Sequence, residues 1–297
     1  MIIDFHVHPI NKNGFEATKP FFRKINAEKA IKWYGSRNLS TDGLLEEMNK
    51  AGVEKAVILG LNYNIDLPLV KISNDEIARL VNENPNRFIG FASVCPTELK
   101  NEESILTEES VGRAVKELRR AITELDLKGL KLLTPFQHFY PNDPLMDSIY
   151  EEVENLNIPI LIHTGGEDFP GLVKYCNPVY LDDVAKKFPN IKIIAAHMGS
   201  YPFGVWFKEM MMVADENPNI YVDLAALRPR ELIDLGLLEK AIEYIGSEKI
   251  IFGSDYPVVF DYTMKDSVNT IKSIIMSEKD RENIFSLNAK RILGLKS

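Results

Sequence analysis

The chain is poor in cysteine and has no long apolar run. Its 297 residues include two cysteines, Cys95 and Cys176, which lie far apart in the sequence. Two distant cysteines do not form a disulfide framework, so we expect a protein of a reducing compartment, the cytoplasm. The N-terminus lacks the basic segment and apolar run of a signal peptide, and no stretch is long enough to cross a bilayer. We therefore expect no membrane association.

The chain also lacks an excess of positive charge. Lysine and arginine number 35 against 43 acidic residues, which gives a net charge of −8. A phosphate backbone is bound by basic surfaces, so this composition argues against a nucleic-acid partner. A small anionic substrate remains compatible, because a local group of basic side chains is enough to bind it.

Short β-rich segments alternate with amphipathic helical segments along the whole chain. Most of the β-rich segments are nearly continuous apolar runs, which is typical of parallel strands covered on both faces. Eight repeats of a strand followed by a helix predict one (β/α)8 TIM-type barrel domain over residues 1–297. A doubly wound open sheet is the alternative, but its glycine-rich turn after the first strand is missing. The predicted strands cover 2–7, 55–61, 87–94, 127–133, 159–165, 191–197, 219–225 and 249–255.

Helical patterns occupy the segments between these strands. They include 41–52, 74–84, 108–125, 144–157 and 237–246. Thr41 or Asp42, and Asn74, are the expected N-caps, and Gly52 and Gly246 are the expected C-terminal stops. The segment after the first strand is too long for an ordinary loop between a strand and a helix. We predict that residues 9–40 form an inserted lid over the barrel mouth, with packing on the outside of the barrel as the alternative.

Histidine is scarce, yet most histidines lie at one kind of position. Residues two apart on a strand share a face, so Asp4 and the two histidines that follow it are expected on the same side of strand one. The C-terminal strand ends of a barrel converge on one site, where catalytic residues are usually located. Five candidate site residues fall at such ends, and they are His6, His8, His163, His197 and Asp255. The fifth histidine, His138, lies in a polar loop and does not fit this pattern.

Imidazole and carboxylate groups without a thiolate suit Zn²⁺ or a similar divalent ion. A single strand-end histidine can also be a hydrogen-bonded core residue, and Asp255 alone can cap a helix. The five residues together favour a metal site. Structural zinc sites are usually closed and rich in cysteine, so a catalytic site is the preferred interpretation.

These motifs resemble those of the amidohydrolase superfamily. They are D-x-H-x-H on strand one, a histidine after strand five, H-x-G after strand six and G-S-D-x-P after strand eight. FGSDYP and the terminal NIFSLNAKRILGL are similar to the amidohydrolase-2 branch. That branch includes metal-dependent hydrolases and decarboxylases related to aminocarboxymuconate-semialdehyde decarboxylase. The resemblance covers the whole chain.

The resemblance implies a role for each matched position. His6, His8, His163 and Asp255 are implied as ligands of one divalent metal ion, Zn²⁺ with Mn²⁺ as the alternative. His197 is implied to orient or deprotonate the bound water, and Asp4 to support the site from lower in the barrel. A homo-oligomer is compatible with this branch.

Lys131 lies on the fourth predicted strand. Superfamily members with two metals use a carboxylated lysine on that strand as a bridge. The amidohydrolase-2 branch usually uses one metal, so we expect Lys131 to contact a substrate anion or to be structural.

Hydrolysis of a small, carboxylate-bearing amide, ester or lactone is the first functional hypothesis. A metal lowers the pKa of bound water from about 16 toward roughly 7. His197 could then accept the proton, and Asp255 could pass one to the leaving group. Nonoxidative decarboxylation of an aromatic or unsaturated carboxylic acid uses the same residues and is the alternative. Hydration of a double bond and a non-catalytic metal- or ligand-binding barrel are further alternatives.

Candidate substrate contacts come from three places in the sequence. Arg228, after strand seven, and Lys131 could bind a carboxylate by charge-assisted hydrogen bonds. Trp33, in the long first loop, could form an apolar wall with Tyr34 and Phe136. A solvated surface position or a core position is equally compatible with each of them.

Overall fold

The computed structural model describes residues 1–64, 70–101, 103–166 and 171–296. All of its strands except β4 and β5 form one parallel sheet in the order β1-β2-β3-β6-β7-β8-β9-β10. In chain order the strands are β1 (Ile3–Val7), β2 (Lys55–Leu59), β3 (Phe88–Ser93), β4 (Thr97–Lys100), β5 (Glu103–Leu106), β6 (Leu130–Leu132), β7 (Ile160–Ile162), β8 (Ile193–Ala195), β9 (Ile220–Asp223) and β10 (Ile250–Ile251).

Hydrogen bonds from β1 to the chain that continues β10 close this sheet. The amide of Phe5 donates to the carbonyl of Phe252 at 2.9 Å, and the amide of Asp255 donates to the carbonyl of His6 at 2.8 Å. Each predicted strand segment contains one strand of the closed sheet. The (β/α)8 TIM-type barrel is therefore confirmed, and the open doubly wound sheet is wrong.

Alternate strand residues face two different apolar cores. Side chains inside the barrel include Phe5 of β1, Phe91 of β3, Leu161 of β7 and Ile194 of β8. The residues between them, such as Ile160 and Ile162 of β7, pack with the surrounding helices. Burial on both faces explains why the strands appear as continuous apolar runs in the sequence.

The helices lie between the strands in the chain and after the last of them. They are α1 (Lys12–Lys24), α2 (Glu28–Gly35), α3 (Thr41–Ala51), α4 (Asn74–Glu83), α5 (Glu108–Thr123), α6 (Thr134–Gln137), α7 (Asp147–Asn155), α8 (Tyr180–Lys187), α9 (Phe207–Glu216), α10 (Leu237–Ile245), α11 (Met264–Ser273), α12 (Glu278–Glu282) and α13 (Asn288–Leu293). No helix among the described residues combines the length and the apolar character needed to span a membrane.

The helix ends correct two of the predicted caps. The N-cap of α3 is Ser40, whose hydroxyl accepts from the amide of Gly43, and the N-cap of α4 is Ser73. Asn74 instead accepts from the amide of Ser93 and so ties α4 to the end of β3. A serine hydroxyl placed one residue earlier satisfies the free amides of the first turn. The predicted stop at Gly52 is present, with φ of +72°.

The segment after β1, residues 9–40, contains α1 and α2. The rings of Phe15 and Phe22 lie 5.4 and 5.7 Å from that of Tyr34, which joins the two helices. The indole of Trp33 and the hydroxyl of Tyr34 donate to the carbonyls of Pro257 and Val258, each at 3.3 Å. These bonds fasten α2 to the chain after β10. A lid function for the segment stays a prediction.

Candidate metal centre and cavity

A cavity of about 850 Å³, counting the part that opens to solvent, lies at the C-terminal ends of the barrel strands. Its floor is polar, and its walls are mostly apolar. The structure brings all five strand-end residues of the sequence analysis to this floor, and each is buried. The floor residues are His6, His8, Lys131, His163, His197 and Asp255.

Three of these residues offer ligand atoms to one point. One Asp255 carboxylate oxygen lies 3.4 Å from Nε2 of His6 and 3.3 Å from Nε2 of His8. The three ligand atoms lie within 4.8 Å of one another, close enough to hold a single metal ion. Two imidazoles and one carboxylate are suitable ligands for a borderline divalent cation.

The partner of His6 determines which of its nitrogens is available. Nδ1 lies 2.8 Å from a carboxylate oxygen of Asp223, so the ring proton is on Nδ1 and the lone pair is on Nε2. Metal-binding histidines commonly have such a carboxylate on the other nitrogen. Burial lowers the pKa of His6 well below its ordinary value, which favours the neutral imidazole. His6 is thus oriented as a ligand.

Asp223 is a site residue that the sequence analysis missed. Besides His6, it accepts the amides of His197 at 2.7 Å and Ala225 at 3.1 Å. Burial raises the pKa of Asp223, and these hydrogen bonds oppose that effect. His6, His197 and Asp223 also lie close enough together for a metal, but donors already occupy the Asp223 oxygens. The signal available in the sequence was a single charged residue in the apolar run NIYVDLA.

His163 and His197 form a connected pair beside this group. Nδ1 of His197 lies 3.0 Å from the carbonyl of Ala225, and its Nε2 lies 3.2 Å from Nδ1 of His163. A carbonyl accepts only, so His197 carries its proton on Nδ1, and His163 donates from Nδ1 to His197. Nε2 of His163 then keeps its lone pair, and it is buried with no hydrogen-bond partner among the described residues. This unpartnered atom fits a fourth metal ligand.

Two floor residues have left-handed backbone conformations. Asp255 and His197 both have φ of +61°, which is uncommon for residues with a side chain and clusters at functional sites. Burial alone would raise the pKa of Asp255, but His6, His8 and His197 lower it to about 2. Asp255 therefore presents an ionised carboxylate.

Asp4 lies outside the set of described residues that line the cavity. Its carboxylate accepts the amides of His6 at 3.1 Å and Ser254 at 3.0 Å, and so holds β1 against the chain after β10. Burial raises the pKa of Asp4 to about 7. The pairing register shifts between Asp4 and Val7, which breaks the simple alternation that placed Asp4 with the histidines.

The three candidate substrate contacts have different positions. Lys131 is fully buried in the cavity floor, with Nζ 3.3 Å from Nε2 of His6. Arg228 donates to the carbonyl of Phe260. The guanidinium of Arg37 lies over the ring of Trp33, with its central carbon 3.7 Å from the ring centre. Neither Arg228 nor Trp33 is among the described lining residues, so the structure does not bring them to the cavity.

Aromatic residues form much of the cavity wall. Tyr34 and Phe136 line it, as the sequence analysis considered, together with Phe15, Phe22 and Tyr63, which it did not single out. His138 stacks on Tyr175, with ring centres 6.0 Å apart, and is not among the described lining residues.

Comparisons with known proteins show the family of the chain. Residues 3–295 match the sequence model of the amidohydrolase family. The chain is 31% identical to 2-amino-3-carboxymuconate-6-semialdehyde decarboxylase from Dictyostelium discoideum over 258 residues, 77% of this chain and 67% of the relative. It is 23% identical to gamma-resorcylate decarboxylase from Polaromonas sp. over 266 residues, 75% of each chain.

A solved structure has the same fold. It is 5-carboxyvanillate decarboxylase from Novosphingobium aromaticivorans, complexed with manganese and 4-hydroxy-3-methoxy-5-nitrobenzoic acid. The TM-score is 0.71 at 16% identity, and the alignment covers 99% of this chain and 96% of that chain. The family resemblance predicted from the strand-end motifs is confirmed.

Proposed function

Because the chain belongs to the amidohydrolase family and is one of its enzymes, we propose that it is a metal-dependent, nonoxidative decarboxylase of a small aromatic or unsaturated carboxylic acid. The observation that carries the proposal is the cavity itself, whose histidine, aspartate and lysine floor lies beneath aromatic walls. The sequence analysis placed hydrolysis first. The relatives named above are decarboxylases, so the comparisons support the alternative better than hydrolysis.

The metal is held by His6, His8, His163 and Asp255 in this proposal. Three imidazoles and one carboxylate accept either Zn²⁺ or Mn²⁺, and manganese is the ion in the solved decarboxylase. When bound, the ion withdraws electron density from a chelated carboxylate or neighbouring oxygen. Lys131 now donates to the Nε2 lone pair of His6 that the ion requires, so metal binding and that hydrogen bond exclude each other.

The residues of the chain supply the remaining steps. The Lys131 ammonium provides a buried positive charge for the substrate carboxylate. Departure of CO₂ leaves an electron pair on the substrate carbon, and that carbon must gain a proton. Asp255 is ionised and so is a ligand rather than the acid. We assign delivery of this proton to His197, whose Nε2 can carry one only after its hydrogen bond from Nδ1 of His163 breaks, because its Nδ1 is committed to the Ala225 carbonyl.

A substrate panel tests this proposal. Aromatic and unsaturated carboxylic acids, lactones and amides are incubated with the metal-loaded enzyme, and CO₂ and acid release are followed separately. We expect CO₂ and the corresponding decarboxylated product in equal amounts. The variant His197→Asn keeps the metal and loses most of the activity, on the order of a hundredfold or more. Acid release from a lactone or amide without CO₂ would show that the hydrolase hypothesis is right.

A further inference from the structure

We infer that the cavity selects a monocarboxylate whose body, away from the carboxylate, is hydrocarbon. This inference rests on the proposed function and specifies its substrate class. In this cavity the charged and imidazole side chains form the floor, and mostly apolar side chains form the walls. Among the described lining residues, the charged side chains belong to the floor, and Lys131 is the cationic one.

The wall hydroxyls are already used by the protein. The hydroxyl of Tyr34 donates to the carbonyl of Val258 at 3.3 Å, and that of Thr18 donates to the carbonyl of Gly14 at 2.8 Å. The hydroxyl of Tyr63 donates to the carbonyl of Val70. None of these hydrogens is available to an acceptor on a ligand, although all three residues line the cavity.

The rest of the wall is apolar, and part of it comes from the inserted helices. Phe15 and Phe22 of α1 stack around Tyr34 of α2, and Tyr63 and Phe136 face each other across 6.0 Å on another part of the wall. A flat, apolar body gains contact with such rings. A second carboxylate placed against this wall would give up part of its hydration and find neither a cation nor a free hydroxyl donor among the described wall residues, which is costly.

Binding of two near-isosteric acids tests the inference. The probes are 2-hydroxy-4-isopropylbenzoate and 2-hydroxy-4-carboxybenzoate, whose 4-substituents have a similar shape but differ in charge. Calorimetry with the metal-loaded enzyme measures both affinities whether or not turnover occurs. We expect the isopropyl acid to bind at least a hundredfold more tightly. Equal or tighter binding of the dicarboxylate, or no binding of either acid at millimolar concentration, would overturn the inference.

Variants in the wall complete the test. Val258 lines the cavity and is half-buried, so Val258→Lys introduces a cation into the apolar wall. We expect it to reduce the preference for the isopropyl acid at least tenfold. Val258→Thr is the second variant in case the lysine prevents folding, with an expected reduction of about threefold. Val205→Lys, at an exposed position outside the described lining, is the matched control with an unchanged ratio.

The two proposals fail in different ways. If the isopropyl acid binds tightly but no CO₂ is released from any acid, the decarboxylase proposal is wrong and the selectivity inference stands. If CO₂ is released from the dicarboxylate as efficiently as from the isopropyl acid, the selectivity inference is wrong and the decarboxylase proposal stands.

Discussion

At His6, the hydrogen bond on one ring nitrogen decides what the other nitrogen can do. The Asp223 carboxylate fixes the proton on Nδ1, and Nε2 is left facing Asp255 and Lys131. His163 reaches the same state through His197 and the carbonyl of Ala225. Two metal-ligand candidates therefore depend on chains of hydrogen bonds that begin at β9 and the residues after it.

Gly253 provides the space in which His6 fits. A Cβ atom at this position would lie 2.9 Å from Cβ of His6 and 3.1 Å from Cβ of Ala225, and neither atom can move without its backbone. We expect Gly253→Ala to displace His6, weaken metal binding at least tenfold and cost about 1–3 kcal/mol of stability. Metal titration and thermal unfolding measure the two effects.

The control for this substitution is Gly112→Ala on α5, where a Cβ meets no atom within 4 Å. It is expected to leave metal affinity unchanged and to raise stability by up to roughly 1 kcal/mol, because alanine favours a helix. Wild-type metal affinity in Gly253→Ala would contradict the role given to this glycine.

At the scale of elements, the strands were predictable because burial on both faces leaves a continuous apolar run. The β4–β5 ribbon escaped prediction, since its strands of four residues are only partly buried and lack such a run. Helix α1 contains Pro20, which conceals its helical pattern, so residues 9–40 could be predicted as an insertion but not as two helices. Two N-caps were misplaced by one or two residues, because several neighbouring polar residues can serve as the cap at each helix start.

A bidentate ion pair joins helices α5 and α7. Arg119 donates from Nε and Nη2 to the two oxygens of Glu152 at 2.8 and 2.7 Å, and Glu152 is buried while Arg119 is largely exposed. These hydrogen bonds lower the pKa of Glu152 below its ordinary value of 4.5. Solvent screening limits the contribution, so we expect Glu152→Gln to cost about 1 kcal/mol at neutral pH.

The pH dependence of that loss has a defined sign. A lowered pKa means that the stabilisation is fully present above pH 4.5, the value of the unfolded state, and disappears as the pH falls through the folded-state pKa. Denaturation midpoints at pH 7 and pH 3.5 should thus show a smaller difference between Glu152→Gln and wild type at the lower pH. The exposed neighbour Glu151 provides the control Glu151→Gln, for which we expect no difference at either pH.

For the whole molecule, the sequence predicted which residues meet but not how they are connected. Five strand-end residues converge because the barrel topology brings the C-terminal ends of its strands to one face. Arg228 and Trp33 lie away from the cavity because of the paths that their loops take after the strands. Their side chains donate to the carbonyls of Phe260 and Pro257, and these hydrogen bonds could not be predicted from the sequence. Asp223 and Gly253 affect the site through their contacts with His6, which is far away in the chain. Their roles can therefore be recognised only in the folded barrel.

Metal removal connects this site to the stability of the barrel. The proposed ligand atoms lie on β1 and on the chain segments after β1, β7 and β10, so an ion bound there would link distant parts of the sheet and bind only the folded chain. At a free metal concentration of one hundred times Kd, this linkage contributes ~2.7 kcal/mol. We expect chelation to lower the Tm by roughly 4 °C, as measured by calorimetry with and without added Mn²⁺ or Zn²⁺.

Variants show whether the shift belongs to the proposed centre. His6→Ala and His163→Ala should lose both the metal-dependent shift and the metal content, because each removes a ligand atom that faces the cavity. His138→Ala is the matched control, since this histidine stacks on Tyr175 away from the described lining and should keep the full shift. His197→Asn should retain the metal with a smaller shift, since His197 is not assigned as a ligand but accepts the hydrogen bond that orients His163. Equal metal content in His6→Ala and the wild type would exclude this ligand set and require the ion to bind elsewhere.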